Sequence, residues 1–193
     1  DSQPFNPQLV HRFEVGSATL TFSGANSGRF SYSVNGFNQT KAITRQVFGP
    51  LPTCVWGAQA NLALATNYTD MWWVPGGAED GWGITFTHQG EAIFAAWFIY
   101  DFTGAELPLT ATLNKVGPGT YSGQLIKSSG PPFSAVPFNP GAVVRNPAGT
   151  ATVTFVNGNA ASFTFTVNDS GKTTTQTKSL TRQVFRAPGT VCQ

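Results

Sequence analysis

Charge is the first thing this chain lacks. Lys and Arg number 11 and Asp and Glu 9, which is 10% of 193 residues, where an average soluble protein carries about 25%. The net charge of +2 is spread along the chain without a basic cluster, which argues against nucleic acid as a partner. No apolar run is long enough for a helical membrane span, which needs about 18 residues. Histidine is limited to His11 and His88, and no G-x-S-x-G elbow occurs, so the usual serine-nucleophile constellation is missing. Cysteine is limited to Cys54 and Cys192, 138 residues apart, unlike a C-x-x-C metal or redox motif. No acidic stretch has an EF-hand register. These absences leave no expected metal, cofactor or catalytic residue.

What is present fits an all-β protein. Ser and Thr supply 37 residues and Gly and Pro 34, while Leu, Ile, Val and Phe supply 46, enough for a real core. Low charge, one Met and few Lys suit an exported protein, whether secreted, periplasmic or on the cell surface, and favour a Cys54–Cys192 disulfide. On the chain-entropy account a loop of that length stabilises by about 5 kcal/mol. Spacing alone leaves open whether the bond lies within one chain or between two. The polar start, Asp1-Ser2-Gln3-Pro4, reads as a processed terminus. The N-x-S/T triplets at Asn38, Asn67 and Asn168 occur at the frequency expected by chance.

The chain also repeats itself. Gly16-Ser17-Ala18-Thr19-Leu20-Thr21-Phe22 matches Gly149-Thr150-Ala151-Thr152-Val153-Thr154-Phe155, and Phe30-Ser31-Tyr32-Ser33-Val34-Asn35 matches Phe163-Thr164-Phe165-Thr166-Val167-Asn168, both at an offset of 133. After a four-residue insertion, Thr44-Arg45-Gln46-Val47-Phe48 recurs as Thr181-Arg182-Gln183-Val184-Phe185, and each copy then runs through a Pro-containing tail to a cysteine. Every block alternates with a period of two and reads as a strand. Each copy is therefore expected to be a three-stranded antiparallel meander with one apolar and one hydroxyl-rich face. A lone three-stranded sheet cannot bury that apolar face, so both copies must pack on something.

Residues 57 to 148 are unique. Gly83 to His88 alternates, Gln89-Gly90 is a hairpin turn, and Ala92 to Tyr100 is apolar on both faces, as in a strand covered on both sides. Strands are expected at Leu107 to Leu113 and Thr120 to Ile126. Ala58 to Ala65 reads as a short helix or a strand, with helix or irregular favoured, and residues 129 to 149 as a long irregular connection. The fold expected is an antiparallel sandwich or barrel of about ten to eleven strands, with two repeated meanders around the central hairpin region. Residues 1–56 form a partial unit packed on a complete unit, 57–193, in one compact domain.

Trp72-Trp73-Val74-Pro75, Gly81-Trp82-Gly83, His88-Gln89-Gly90 and Trp97-Phe98-Ile99-Tyr100-Asp101 follow in order, with Thr-Arg-Gln-Val-Phe closing the unit. This arrangement resembles a Trp-rich repeat unit of exported Gram-negative bacterial proteins. The resemblance implies an extracytoplasmic module and brings no established activity, cofactor or catalytic residue. Leu107-Pro108-Leu109 stands where similar units often carry another Trp.

The acids gather in the middle: Asp70, Glu79, Asp80, Glu91, Asp101 and Glu106. Four tryptophans lie between Trp72 and Trp97. If Trp72 and Trp73 are extended, one points to the core and the other outward. A rigid aromatic beside a carboxylate suits a sugar ring or a peptide, so Trp72, Trp73, Glu79, Asp80, Trp82 and His88 are the candidate ligand-binding residues. The function expected is an exported, non-catalytic module binding a glycan, a peptide or another extracytoplasmic ligand. One alternative is a structural subunit that self-associates head-to-tail through its repeated meanders. Another is a small hydrolase using two loop carboxylates across a cleft.

Overall fold

A computed structural model describes residues 4–59 and 61–193; Asp1 to Gln3, most of the polar start, and Ala60 lie outside the described residues. The chain is all-β. Strands β1 (Gly16–Phe22), β2 (Ser27–Val34) and β3 (Phe37–Thr44) form a sheet of their own. Strand β4 (Cys54–Gln59) comes next. Eight antiparallel strands then close a barrel in chain order: β5 (Asp70–Trp73), β6 (Gly83–Gln89), β7 (Ala92–Tyr100), β8 (Glu106–Gly117), β9 (Thr120–Ser129), β10 (Val144–Asn157), β11 (Ala160–Asp169) and β12 (Lys172–Gln183). The last strand, β13 (Gly189–Cys192), pairs with β4, and Cys54 and Cys192 are joined within the chain.

Closure is made by β12 on β5, where Thr181 lies opposite Trp73 and Arg182 opposite Trp72. Inside, alternation delivers one apolar residue in two: Ile84 and Phe86 from β6, Ile93, Ala95 and Trp97 from β7, Leu107 to Leu113 from β8, Phe163 and Phe165 from β11. Eight strands leave an interior that side chains fill, and aromatics fill this one. The outer positions carry Thr85, Thr87, Thr110, Thr112, Thr152, Thr164, Thr166 and Thr177, with cross-strand hydroxyl pairs such as Thr164–Thr177 at 2.8 Å. Apolar inside and hydroxylated outside is the reverse of a lipid-facing barrel. Among the described residues no helix is long and apolar enough to cross a membrane.

Several expectations are corrected. Among the described residues there are thirteen strands, and the barrel contains eight strands and only one meander, not ten or eleven around both. Because β12 finds β5 directly, the ring closes without β1–β3. Strand β7 is not covered on both sides: Phe94 and Phe98 face outward, 39% and 55% exposed, since a single sheet curled on itself has only one inner face. The first Thr-Arg-Gln-Val-Phe block lies beyond β3 except for Thr44, whereas the second contributes Thr181, Arg182 and Gln183 to the end of β12. Asn35-Gly36 and Ser170-Gly171, all at positive φ, turn the chain back at once, so each third strand starts earlier than the matched block. Strand β10 starts at Val144 and shortens the irregular connection to 130–143, while Ala58 and Gln59 end strand β4 and residues 61–65 are irregular.

The two meanders share one pairing register. Leu20 opposes Phe30 and Val153 opposes Phe163; Phe30 opposes Lys41 and Phe163 opposes Lys178. Gly16 and Gly149, at φ +155° and +141°, open the matched strands, and a Cβ at either would collide with the carbonyl of Ser33 or Thr166. Only glycine fits there. The four inserted residues lengthen the β11–β12 hairpin by two positions on each strand.

Candidate functional site

The loop between β5 and β6 crosses one end of the barrel. Glu79 holds it there: Lys178 Nζ donates to Oε1 at 2.6 Å and Trp82 Nε1 donates to Oε2 at 2.9 Å. Tyr100 Oη donates to Gly81 O at 3.1 Å, and Val10 packs against Gly81 so closely that a Cβ would strike it. Trp82 is half-buried, edge-on to Trp97 with ring centroids 6.2 Å apart. The loop is thus tied to strands β7 and β12 and to the N-terminal segment.

Beside it lies an open groove of about 510 Å³ lined by Arg12, Met71, Trp73, Asp80, Trp82, Phe185 and their neighbours. Trp73 faces outward on β5, whereas Trp72 faces inward and is fully buried, its Nε1 donating to Tyr68 O at 3.1 Å. Gly83 faces outward as well, opposite Phe98. By continuation of the β5–β6 register it lies next to Trp73. A residue without a side chain therefore sits between two aromatics on strands about 9.5 Å apart.

Of the six sequence candidates, the groove holds Trp73, Asp80 and Trp82, with Glu79 behind Trp82. Trp72 and His88 are not part of it. His88 lies at the far end of β6, about 17 Å along the strand from Gly83, and is 5% exposed. Its ring stacks on Tyr68 at 5.4 Å, Nδ1 accepts from the Tyr68 amide at 3.2 Å, and Nε2 meets Gly90 O at 2.9 Å and Tyr121 Oη at 3.2 Å. An accepting Nδ1 fixes the neutral tautomer with Nε2 protonated. Burial pushes the pKa of His88 below its usual value, against the pull of the Gly90 carbonyl and with a smaller contribution from Lys115. Its neighbour Gln89 accepts from the Phe48 and Gly49 amides at 2.9 and 3.2 Å and donates to Gln46 O at 3.1 Å, catching the chain that leaves β3. The His-Gln-Gly motif therefore holds structure together.

Of the six acids in the middle, Glu79, Asp70, Glu91 and Asp101 are engaged in pairs or turns, and Asp80 lines the groove. Asp70 pairs with Arg182 at 3.3 Å, Glu91 with Lys115 at 3.0 Å, and Asp101 binds Thr103 and the Ala105 amide. Among the described residues no group of three His, Cys, Asp or Glu side chains converges as a metal site would require. Sequence reading missed Arg12, Met71, Phe98, Gln183 and Phe185. Gln183 and Phe185 stood inside a repeated block and looked like scaffold, whereas Met71 and Phe98 were legible only once the inner and outer faces were known. Comparison with protein-family models, curated proteins and solved structures returns no match.

Proposed function

We propose that the chain is an exported, non-catalytic β module that takes a ring-bearing ligand, a glycan or a peptide, in the groove between Trp73 and Trp82. The observation that carries this reading is the pair of half-exposed tryptophans held rigidly beside Asp80 and Arg12, which offers stacking surface and both charges. Each stacked ring contributes roughly 0.5–1.5 kcal/mol beyond area burial. The internal disulfide and the motif resemblance to exported repeats support the extracytoplasmic setting. Titration with glycan and peptide panels tests the binding: saturable quenching of tryptophan emission is expected, and Trp73→Ala abolishes it. An unchanged spectrum across both panels overturns the reading.

A structural role is favoured by a different observation, the exposed apolar face of β1–β3. Since Cys54 and Cys192 bond to each other inside the chain, any such assembly is not covalently linked through them.

A further inference from the structure

The match at offset 133 begins before the strands. Pro4-Phe5-Asn6-Pro7 answers Pro137-Phe138-Asn139-Pro140, and Val10-His11-Arg12 answers Val143-Val144-Arg145. The conformations agree. Pro7–Leu9 and Pro140–Ala142 are short 3-10 turns, capped by Asn6 and Asn139, whose side chains accept from the Gln8 and Gly141 amides. The amides of Val10 and Val143 return to Pro7 O and Pro140 O. Residues 4 to 48 thus reproduce the stretch of barrel that comes after β9, and contain no counterpart of β5–β9.

The β1 side of this copy's interior face is open, while Phe30, Tyr32 and Val34 of β2 are half-buried. Phe155 is 6% exposed and its counterpart Phe22 is 70%; Val153 is 0% and Leu20 is 55%. Residues 133–138 reach the β2–β3 side alone: Phe133 meets Tyr32 and Phe37 at 6.2 and 6.1 Å, its carbonyl accepts from Tyr32 Oη at 3.0 Å, and Gln39 Nε2 donates to Ser134 O at 2.9 Å. The cations are open too. Lys178 is bound by Glu79, whereas its counterpart Lys41 meets no acid: it donates to Phe133 O at 3.5 Å and lies 5.9 and 5.8 Å from the Tyr32 and Phe138 rings. Arg182 and Arg45 make the same local bonds, Nε to the carbonyls of Gly158 and Ala25 at 2.6 and 3.2 Å. Arg182 then reaches across to Asn67 O, Thr69 O and Asp70 at the start of β5. Arg45 has only Ala25 O.

We propose that β1–β3 is the closing third of a second eight-stranded barrel, whose other five strands are a β5–β9-type sheet placed ahead of Pro4 in the same polypeptide. The partner presents an acid to Lys41, as Glu79 does to Lys178, and carbonyls with an acid to Arg45. A second copy of the chain does not serve, because its β5–β9 is already closed by its own β10–β12. Exchanging the two meanders would expose as much apolar surface as it covers. Placement upstream rests on the complete barrel, in which β9 runs through residues 130–136 into Pro137, the counterpart of Pro4.

The test joins residues 57–136 directly to Pro4 of the full chain, recreating the Val136–Pro137 junction. In the extended chain, amides of residues 16–44 are expected to exchange with deuterium at least 100-fold more slowly than in the parent. Arg45→Met is expected to reverse that protection while leaving the parent's unfolding midpoint unchanged. Equal exchange rates in the two chains overturn the proposal, as does an extended chain that aggregates although its closing strands are present. A parent that light scattering shows to be a dimer with β1–β3 already protected overturns it in favour of a second copy.

Discussion

Glu79 and Lys178 lie 99 residues apart and meet at 2.6 Å, each with 19% of its side chain exposed. The carboxylate spans two structures, since its second oxygen holds the Trp82 indole. Pinning the β5–β6 loop to β12 sets one wall of the groove.

Replacing this carboxylate is therefore expected to act on the groove first. Glu79→Ala leaves Lys178 and the indole N–H without their acceptor, and a charged hydrogen bond of this kind contributes about 1.5–3 kcal/mol. Urea denaturation is expected to show a loss within that range, with Trp82 emission shifting red as the loop loosens. A variant with unchanged stability and spectrum would show that Glu79 does not position Trp82.

Arg182 closes the barrel at its other end. Its side chain is 2% exposed, bonds four acceptors and lies 5.0 Å over the Trp72 ring. Burial lowers its pKa while Asp70 opposes the shift. Removing one partner of such a buried network costs about 3–5 kcal/mol, so Arg182→Met is expected to lose that much in chemical denaturation. Arg182→Lys is expected to recover little, because a point charge cannot serve acceptors on both sides of the fork.

Arg182 also shows where the sequence stops being legible. Alternation identified most strands and the apolar face of each meander, and Gln89-Gly90 marked the central hairpin, because these are local signals; the Asn35-Gly36 and Ser170-Gly171 turns were passed over in favour of the repeated block that follows them. That Trp73 points outward while Trp72 points inward is a consequence of the pleat. Which strand meets β12 is not: Thr181 faces Trp73 across more than 100 residues, and no local pattern specifies that pairing. The same gap grouped His88 with Trp73, since nearness in sequence hid that β6 carries His88 to the end away from Trp73.

The buried imidazole makes stability depend on pH in a defined window. His88 titrates below its ordinary 6.5 in the folded chain, so the unfolded chain binds the proton more readily. Its contribution is complete above about pH 6.5 and is lost as pH falls below that toward the folded value. The midpoint of thermal unfolding is expected to be flat above pH 7 and to fall as the pH drops below about 6.5. His88→Gln, which cannot titrate, is expected to flatten that fall. Asp169, held below its usual range by Lys127 at 2.8 Å, contributes a separate decline in more acidic solution, below about pH 4. An unaltered pH profile in the His88 variant would assign the first decline to another group.

Reduction is expected to destabilise the whole barrel although no barrel strand carries a cysteine. The Cys54–Cys192 loop encloses β5 through β12, so the cross-link restricts the unfolded barrel while β4 and β13 sit outside it. A loop of 138 residues gives about 5 kcal/mol as the upper value of this effect. Without the bond, β4 can leave β13 before the barrel opens, because β4 is almost entirely exposed, and the measured loss is then smaller. The Cys54→Ser, Cys192→Ser double variant is expected to lose about 2–5 kcal/mol in urea denaturation, with the far-ultraviolet spectrum of the folded state retained. Equal stability of the oxidised and reduced chains would mean that residues 54 and 192 stay together without the bond in the unfolded ensemble.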